Sequence, residues 1–195
     1  MVTMIDELNF IGKEEAIAKL IPISELKGYL IWREKEFVEK YGELFYLNEE
    51  DNFNCLETDL KNGKSMIAII NSSVLQWEGR ASHPWIMVIT IKYNGDNLNG
   101  MPDQITYELL NQFEDQLLEM LKPKDGLLNI GRETADGVRT IFFACADFRK
   151  PVFLVDRTIR EFSGKLDVDY NIYKDKYWQT FERFITLDSA SEKER

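Results

Sequence analysis

The residues best suited to chemistry lie together in Gly131-Arg132-Glu133-Thr134-Ala135-Asp136-Gly137-Val138-Arg139, a polar turn that runs straight into the apolar stretch Thr140-Ile141-Phe142-Phe143-Ala144-Cys145. Charged side chains, glycines and a strand meet here in a pattern that core packing alone would not require. Paired arginines can grip an anion, because each guanidinium presents a planar fork of donors that matches a carboxylate or phosphate. With Glu133 or Asp136 beside them, such a grip could serve a hydrolase-like reaction on an anionic substrate. The same charges can instead pair locally across the turn and contribute little. Polar loops held by rigid strands are where binding residues concentrate. Arg132, Glu133, Thr134, Asp136 and Arg139 therefore form the candidate binding surface.

Other patterns fail on their spacing. Asn62-Gly63-Lys64-Ser65 imitates the end of a phosphate-binding loop, but the first glycine of that motif would fall at Thr58, and a strand follows where a helix N-terminus is needed. Asp167-x-Asp169-x-Asn171 imitates the start of a calcium loop, yet Ile172 stands at the glycine position and Trp178 at the final glutamate. As a strand, this segment carries Asp167 and Asp169 on one side, about 7 Å apart, and a solvated face is the simpler reading. His83 is the single histidine, which excludes a two-histidine zinc motif and leaves Cys55 and Cys145 without an evident base. No cofactor and no metal are expected. Phe142 and Phe143 invite comparison with the base-stacking strand of RNA-recognition domains, but the required glycine-aromatic run is missing, and core packing explains them better.

Acidic residues outnumber basic ones by 34 to 24, giving a formal charge of -10, which argues against a surface that tracks phosphates. Nucleic acid is an unexpected partner and a basic protein a more natural one, although acidity also serves solubility. No apolar run approaches the roughly 20 residues that span a bilayer, and no leader pattern stands at the N-terminus. The expectation is a cytoplasmic protein without a membrane partner, its two cysteines reduced.

The elements that must position the cluster follow from periodicity. Residues 1–60 read as a helical N-terminal extension: Glu14 to Leu20 is a good helix former halted by Pro22, and a second helix runs from Ser24 through Ile31, Trp32, Phe37 and Val38 towards Gly42. The stretch from Asn48 to Asn62 is polar and turn-rich. Residues 61–187 read as one domain. Met66 to Ile70 and Trp85 to Tyr93 are strands. Gly100-Met101-Pro102-Asp103 opens a helix with Pro102 in its first turn, and Ile105, Leu109, Phe113, Leu117, Met120 and Leu121 recur at helical spacing, while Glu108, Glu114, Asp115 and Glu119 fall mostly on an acidic face. Strands near Leu127 to Arg132 and Val138 to Cys145, a helix from about Pro151 to Gly164, a half-buried strand over Leu166 to Ile172 and a short helix carrying Trp178, Phe181 and Phe184 complete it. Residues 188–195 read as a disordered tail. From Trp85 the order is strand, helix, strand, strand, helix, strand. That predicts an α+β, ferredoxin-like βαββαβ antiparallel sheet with helices on one face and an extra edge strand from Met66 to Ile70.

Several of these residues recur in an order that resembles domain of unknown function 695: Asn71 after a strand, Pro84-Trp85, Gly100-Met101-Pro102, Glu108 with Leu109, Glu114 with Leu118, Gly131-x-x-Thr134-x-x-Gly137-x-Arg139, and Asp175-x-x-Trp178-x-x-Phe181. The likeness covers roughly residues 30 to 185, with Trp32 as an N-terminal member. It implies a bacterial protein of known fold type and supplies no activity. Its architecture is similar to that of the regulator of ribonuclease activity B, a small acidic protein that inhibits an RNA-degrading enzyme by binding it. The leading expectation is thus a non-catalytic protein-binding or regulatory module. The alternatives are an enzyme acting on an anionic substrate at the 131–139 hairpin, and an RNA-binding or ribonuclease-regulating protein.

Overall fold

A computed structural model of the chain describes residues 20, 22–42, 44, 46 and 51–185. The helix expected over Glu14 to Leu20 lies outside them except for its last residue, and the expected tail at 188–195 lies wholly outside. The chain divides into two compact units, Met1–Glu43 and Leu44–Arg195. In the first, a 3-10 turn at Ile23–Glu25 leads into α1 (Leu26–Tyr41), which ends at Gly42 with the glycine N–H donating to the Val38 carbonyl. None of the residues of α1 is buried within the described structure, and Leu30, Ile31, Trp32 and Val38 are exposed.

The second unit is built on a six-stranded sheet, antiparallel throughout, in the order β1-β2-β4-β5-β3-β6. Its strands are β1 (Phe53–Asp59), β2 (Ser65–Asn71), β3 (Trp85–Lys92), β4 (Leu127–Ala135), β5 (Val138–Cys145) and β6 (Asp167–Lys174). Helices α2 (Ser72–Gln76), α3 (Gln104–Met120) and α4 (Arg149–Glu161) join it, and residues 182–185 are helical too. The strand at Met66 to Ile70 is not the edge. It sits between β4 and β1, and β1 forms the edge from a segment whose sequence reads as turns. An edge strand packs against one neighbour only, so FNCLETD needs few apolar side chains, and its polar composition hides it.

The sheet is covered on one face and over part of the other. Leu110, Phe113 and Leu117 of α3, with Val155 of α4 and Phe162 just beyond it, cover Met87, Ile89, Ile91, Ile141, Phe143 and Cys145. On the opposite face Val74 and Leu75 of α2 and the aromatic trio Trp178, Phe181 and Phe184 cover Leu56, Ala68, Ile70, Ile86, Phe142 and Ala144. Phe142 meets the rings of Phe181 and Phe184 edge-on at 5.6 and 5.9 Å. Both aromatics that could have stacked on bases are therefore core residues, one on each face.

The C-terminal cover is pinned by polar contacts. Asp175 accepts hydrogen bonds from the Gln179 and Thr180 N–H groups and from the Thr180 hydroxyl, while its own N–H donates to the Pro84 carbonyl. The Trp178 indole N–H donates to the His83 carbonyl at 2.9 Å. Asn71 caps α2 by accepting from the Val74 N–H, and Asp103 caps α3 by accepting from the Thr106 N–H at 2.7 Å. Pro102 precedes that cap and is not part of the first turn. Ile105, expected on the buried stripe, is 79% exposed. It lies about 140° round the helix from Leu110.

Candidate functional site

The site begins with an irregularity in β4. Between Asn129 and Gly131 the register against β5 shifts by one residue, with Ile130 as the extra member. The Asn129 side chain accepts the Gly131 N–H at 3.0 Å, and Gly131 has φ 131°. A Cβ there would stand 2.1 Å from the Ile69 carbonyl oxygen, so the approach of β2 requires glycine. Because side chains alternate along a strand, a one-residue bulge exchanges the faces of everything beyond it. Arg132 and Thr134 consequently lie opposite Ile141 and Arg139 on the face covered by α3, and Glu133 points to the other face.

The hairpin closes through Asp136 and Gly137, both at positive φ (49° and 75°), the geometry of a type I′ turn. Its tip is held by the loop before α3. The Gly137 N–H donates to the Gly100 carbonyl at 2.8 Å, the Tyr93 hydroxyl donates to the same oxygen at 2.9 Å, and the Tyr93 N–H donates to the Gly137 carbonyl. Burial pushes the Tyr93 phenol up to about 12, so it stays a donor in the neutral range. These bonds bring Met101 and Pro102 over β4 and β5.

Between that loop, α3 and β2 lies a pocket of about 270 Å³ lined by Ile67, Ile69, Met101, Pro102, Tyr107, Arg132, Thr134 and Arg139. Arg139 is 1% exposed. Its Nη1 donates to Asn111 Oδ1 at 2.8 Å and lies 3.6 Å from Glu114 Oε2, its Nε donates to Thr134 Oγ1 at 3.3 Å, and its guanidinium carbon is 5.3 Å from the centre of the Tyr107 ring. Burial, then the positive charge of Arg132, holds Arg139 below its ordinary value, while Glu114 acts the other way. Arg132 Nη1 donates to the same Glu114 oxygen at 2.8 Å. Two guanidiniums thus share one buried carboxylate, and the cluster carries a net positive charge.

Of the residues expected from sequence, the structure brings Arg132, Thr134 and Arg139 together and sends the other two elsewhere. Glu133 lies on the opposite face, 2.9 Å from Arg183. Asp136 sits at the turn tip, paired with Lys64 and accepting from the Asn62 amide; the Lys64 contact holds its carboxyl below the usual range. The imitation phosphate loop at Asn62 to Ser65 is therefore the β1–β2 turn, bound to the hairpin tip.

Sequence reasoning missed Tyr107, Asn111 and Glu114, and placed Glu114 among the residues of the acidic face. Their spacing of four and three residues marks one side of a helix, and Glu114 lies between Leu110 and Leu117 at core positions. That spacing was the available signal. Glu108, Asp115 and Glu119 are exposed as expected.

His83 is buried, its ring against Trp77 and its Nδ1 2.8 Å from the Ser82 hydroxyl. Asp167 and Asp169 are exposed on β6, on the sheet face away from α3 and α4. Among the described residues no three of His, Cys, Asp and Glu gather in a metal-binding group.

No curated protein matches the chain. Residues 58–186 match the family of unknown function DUF695, a span that takes in β2 to β6 and every residue lining the pocket, whereas the likeness read from sequence extended to residue 30. Two of the elements that carried that likeness, Gly100-Met101-Pro102 and Gly131 to Arg139, are the two that meet at the pocket, and the chain belongs to the DUF695 family.

Proposed function

We propose that this protein is a non-catalytic regulatory module that works by binding a small anionic molecule in the pocket between β2, β4 and α3. One observation carries the reading: two guanidiniums line an otherwise mostly apolar cavity and share one buried carboxylate, Glu114. Burial makes an uncompensated charge costly, so an anion entering the cavity gains more there than it would on an exposed arginine. An enzymatic reading needs a carboxylate poised to take a proton. Glu133 faces away, Asp136 is held by Lys64, and Glu114 is held by both arginines, so recognition fits this arrangement better than catalysis.

The scaffold supports a regulatory reading by analogy. We take the path β3-α3-β4-β5-α4-β6, with strand order β6-β3-β5-β4, as ferredoxin-like, with β2 and β1 added beyond β4. A basic protein partner would meet the exposed carboxylates Glu108, Asp115 and Glu119 of α3, the same helix that contributes Tyr107, Asn111 and Glu114 to the site. Ligand occupancy and partner binding would then act through one element.

The test is a series of amide correlation spectra of the isotope-labelled protein titrated with small carboxylates, phosphates and sulfonates at millimolar concentration. Shifts clustering at Ile67, Ile69, Met101, Thr134 and Arg139 are the expected result. Shifts scattered over surface lysines, or none, would overturn the anion-pocket reading.

A further inference from the structure

We infer that the pocket takes a monocarboxylate with a compact apolar body, an inference that rests on the anion-binding reading and names its ligand class. The charge count sets the first constraint. Arg139 is committed to Asn111, Thr134 and Glu114, and Arg132 has one protein acceptor among the described residues, Glu114. The side chain of Arg132 keeps 22% of its exposure, so it is the guanidinium an incoming group can reach. One net positive charge in a low-dielectric wall matches one negative charge. A phosphate dianion would bring a second negative charge close to buried Glu114 and lose much of what the first gains.

The donors set the second constraint. Thr134 Oγ1 accepts from Arg139 Nε, which leaves its O–H to donate. An Arg132 fork and a threonine hydroxyl suit the planar two-oxygen geometry of a carboxylate, for which side-by-side N–H donors are the best-matched partner. The remaining wall is Ile67, Ile69, Met101, Pro102 and the Tyr107 ring, which offers van der Waals contact and little hydrogen bonding. At about the packing density of protein interiors, 270 Å³ accommodates a ligand of about ten non-hydrogen atoms.

The experiment uses the full chain and three aryl probes of about the same size: 3-phenylpropanoate, 3-phenylpropanol and phenyl phosphate. Calorimetry and amide shifts at Ile67, Met101 and Thr134 should show the carboxylate binding at least about tenfold more tightly than the alcohol or the phosphate ester, a factor equivalent to about 1.4 kcal/mol. Arg132→Gln should lose at least that factor, and Arg132→Lys should fall between, keeping the charge without the fork. Each variant's melting curve is recorded first. Should Arg132→Gln not fold, Arg132→Lys and the three-probe ranking still decide. Equal binding of acid and alcohol would overturn the carboxylate assignment. Tighter binding of the phosphate ester at the same amides would overturn it too and leave the anion pocket standing. No shift at those amides with either anion would remove both.

Discussion

Glu114→Gln tests the electrostatic core of the site. The substitution keeps the volume and one acceptor oxygen while removing the negative charge that Arg132 and Arg139 share at 2.8 and 3.6 Å. Breaking a buried ion pair by neutralising one partner costs about 3–5 kcal/mol, because the other charge stays in a medium that cannot solvate it. Here the loss is smaller. Arg139 keeps its bonds to Asn111 and Thr134 and its contact with Tyr107, and Arg132 can turn towards solvent, so about 2–4 kcal/mol is expected. In a domain of this size each kcal/mol moves the midpoint by about 2–4 °C, which puts the drop at about 4–16 °C. Urea unfolding with an unchanged m-value would measure the free-energy difference directly. Asp115→Asn, one residue along on the exposed side, should shift stability by less than about 0.5 kcal/mol. If Glu114→Gln behaved like Asp115→Asn, the two arginines would not depend on Glu114, and the charge count behind the pocket's preference for anions would be wrong.

Four further outcomes follow from the geometry. Gly131→Ala should cost at least about 3 kcal/mol, or prevent folding, because its Cβ meets the Ile69 carbonyl and φ is 131°; a soluble variant with wild-type melting would refute the bulge argument. Asp175→Ala removes three accepted hydrogen bonds at the C-terminal cover and should lose about 1–3 kcal/mol, read as faster amide exchange around Trp178 and Phe181. Burial pushes His83 from 6.5 down to about 4, so the unfolded chain takes up the proton first as pH falls; stability is complete above pH 6.5 and declines towards pH 4 by about 3 kcal/mol, a slope that His83→Gln should flatten. Only one thiol should react rapidly with an aromatic disulfide reagent in the native state, since Cys55 is exposed while burial pushes the Cys145 thiol up to about 12.

The alternation of apolar residues by itself determined most of the fold. Helices with a 3.6-residue stripe and strands with continuous or alternating apolar runs follow from which side chains must leave water, and that information is local. So α3, α4, β2 to β6 and a hairpin between β4 and β5 were all readable, although β4 carries on to Ala135 through residues that read as a polar turn. Edge strand β1 was not, because a strand that buries one face against one neighbour has little need of apolar residues. The membership of the site was decided by tertiary structure. Whether Arg132 or Glu133 faces α3 depends on a single extra residue at Ile130, which exchanges the two faces of β4. At that bulge the β2 backbone passes so close to Gly131 that a side chain has no room, a long-range contact no local pattern records. In the same way, Glu114 reads as one acid among several along α3, and becomes the shared partner of two arginines only once the hairpin is folded beneath the helix.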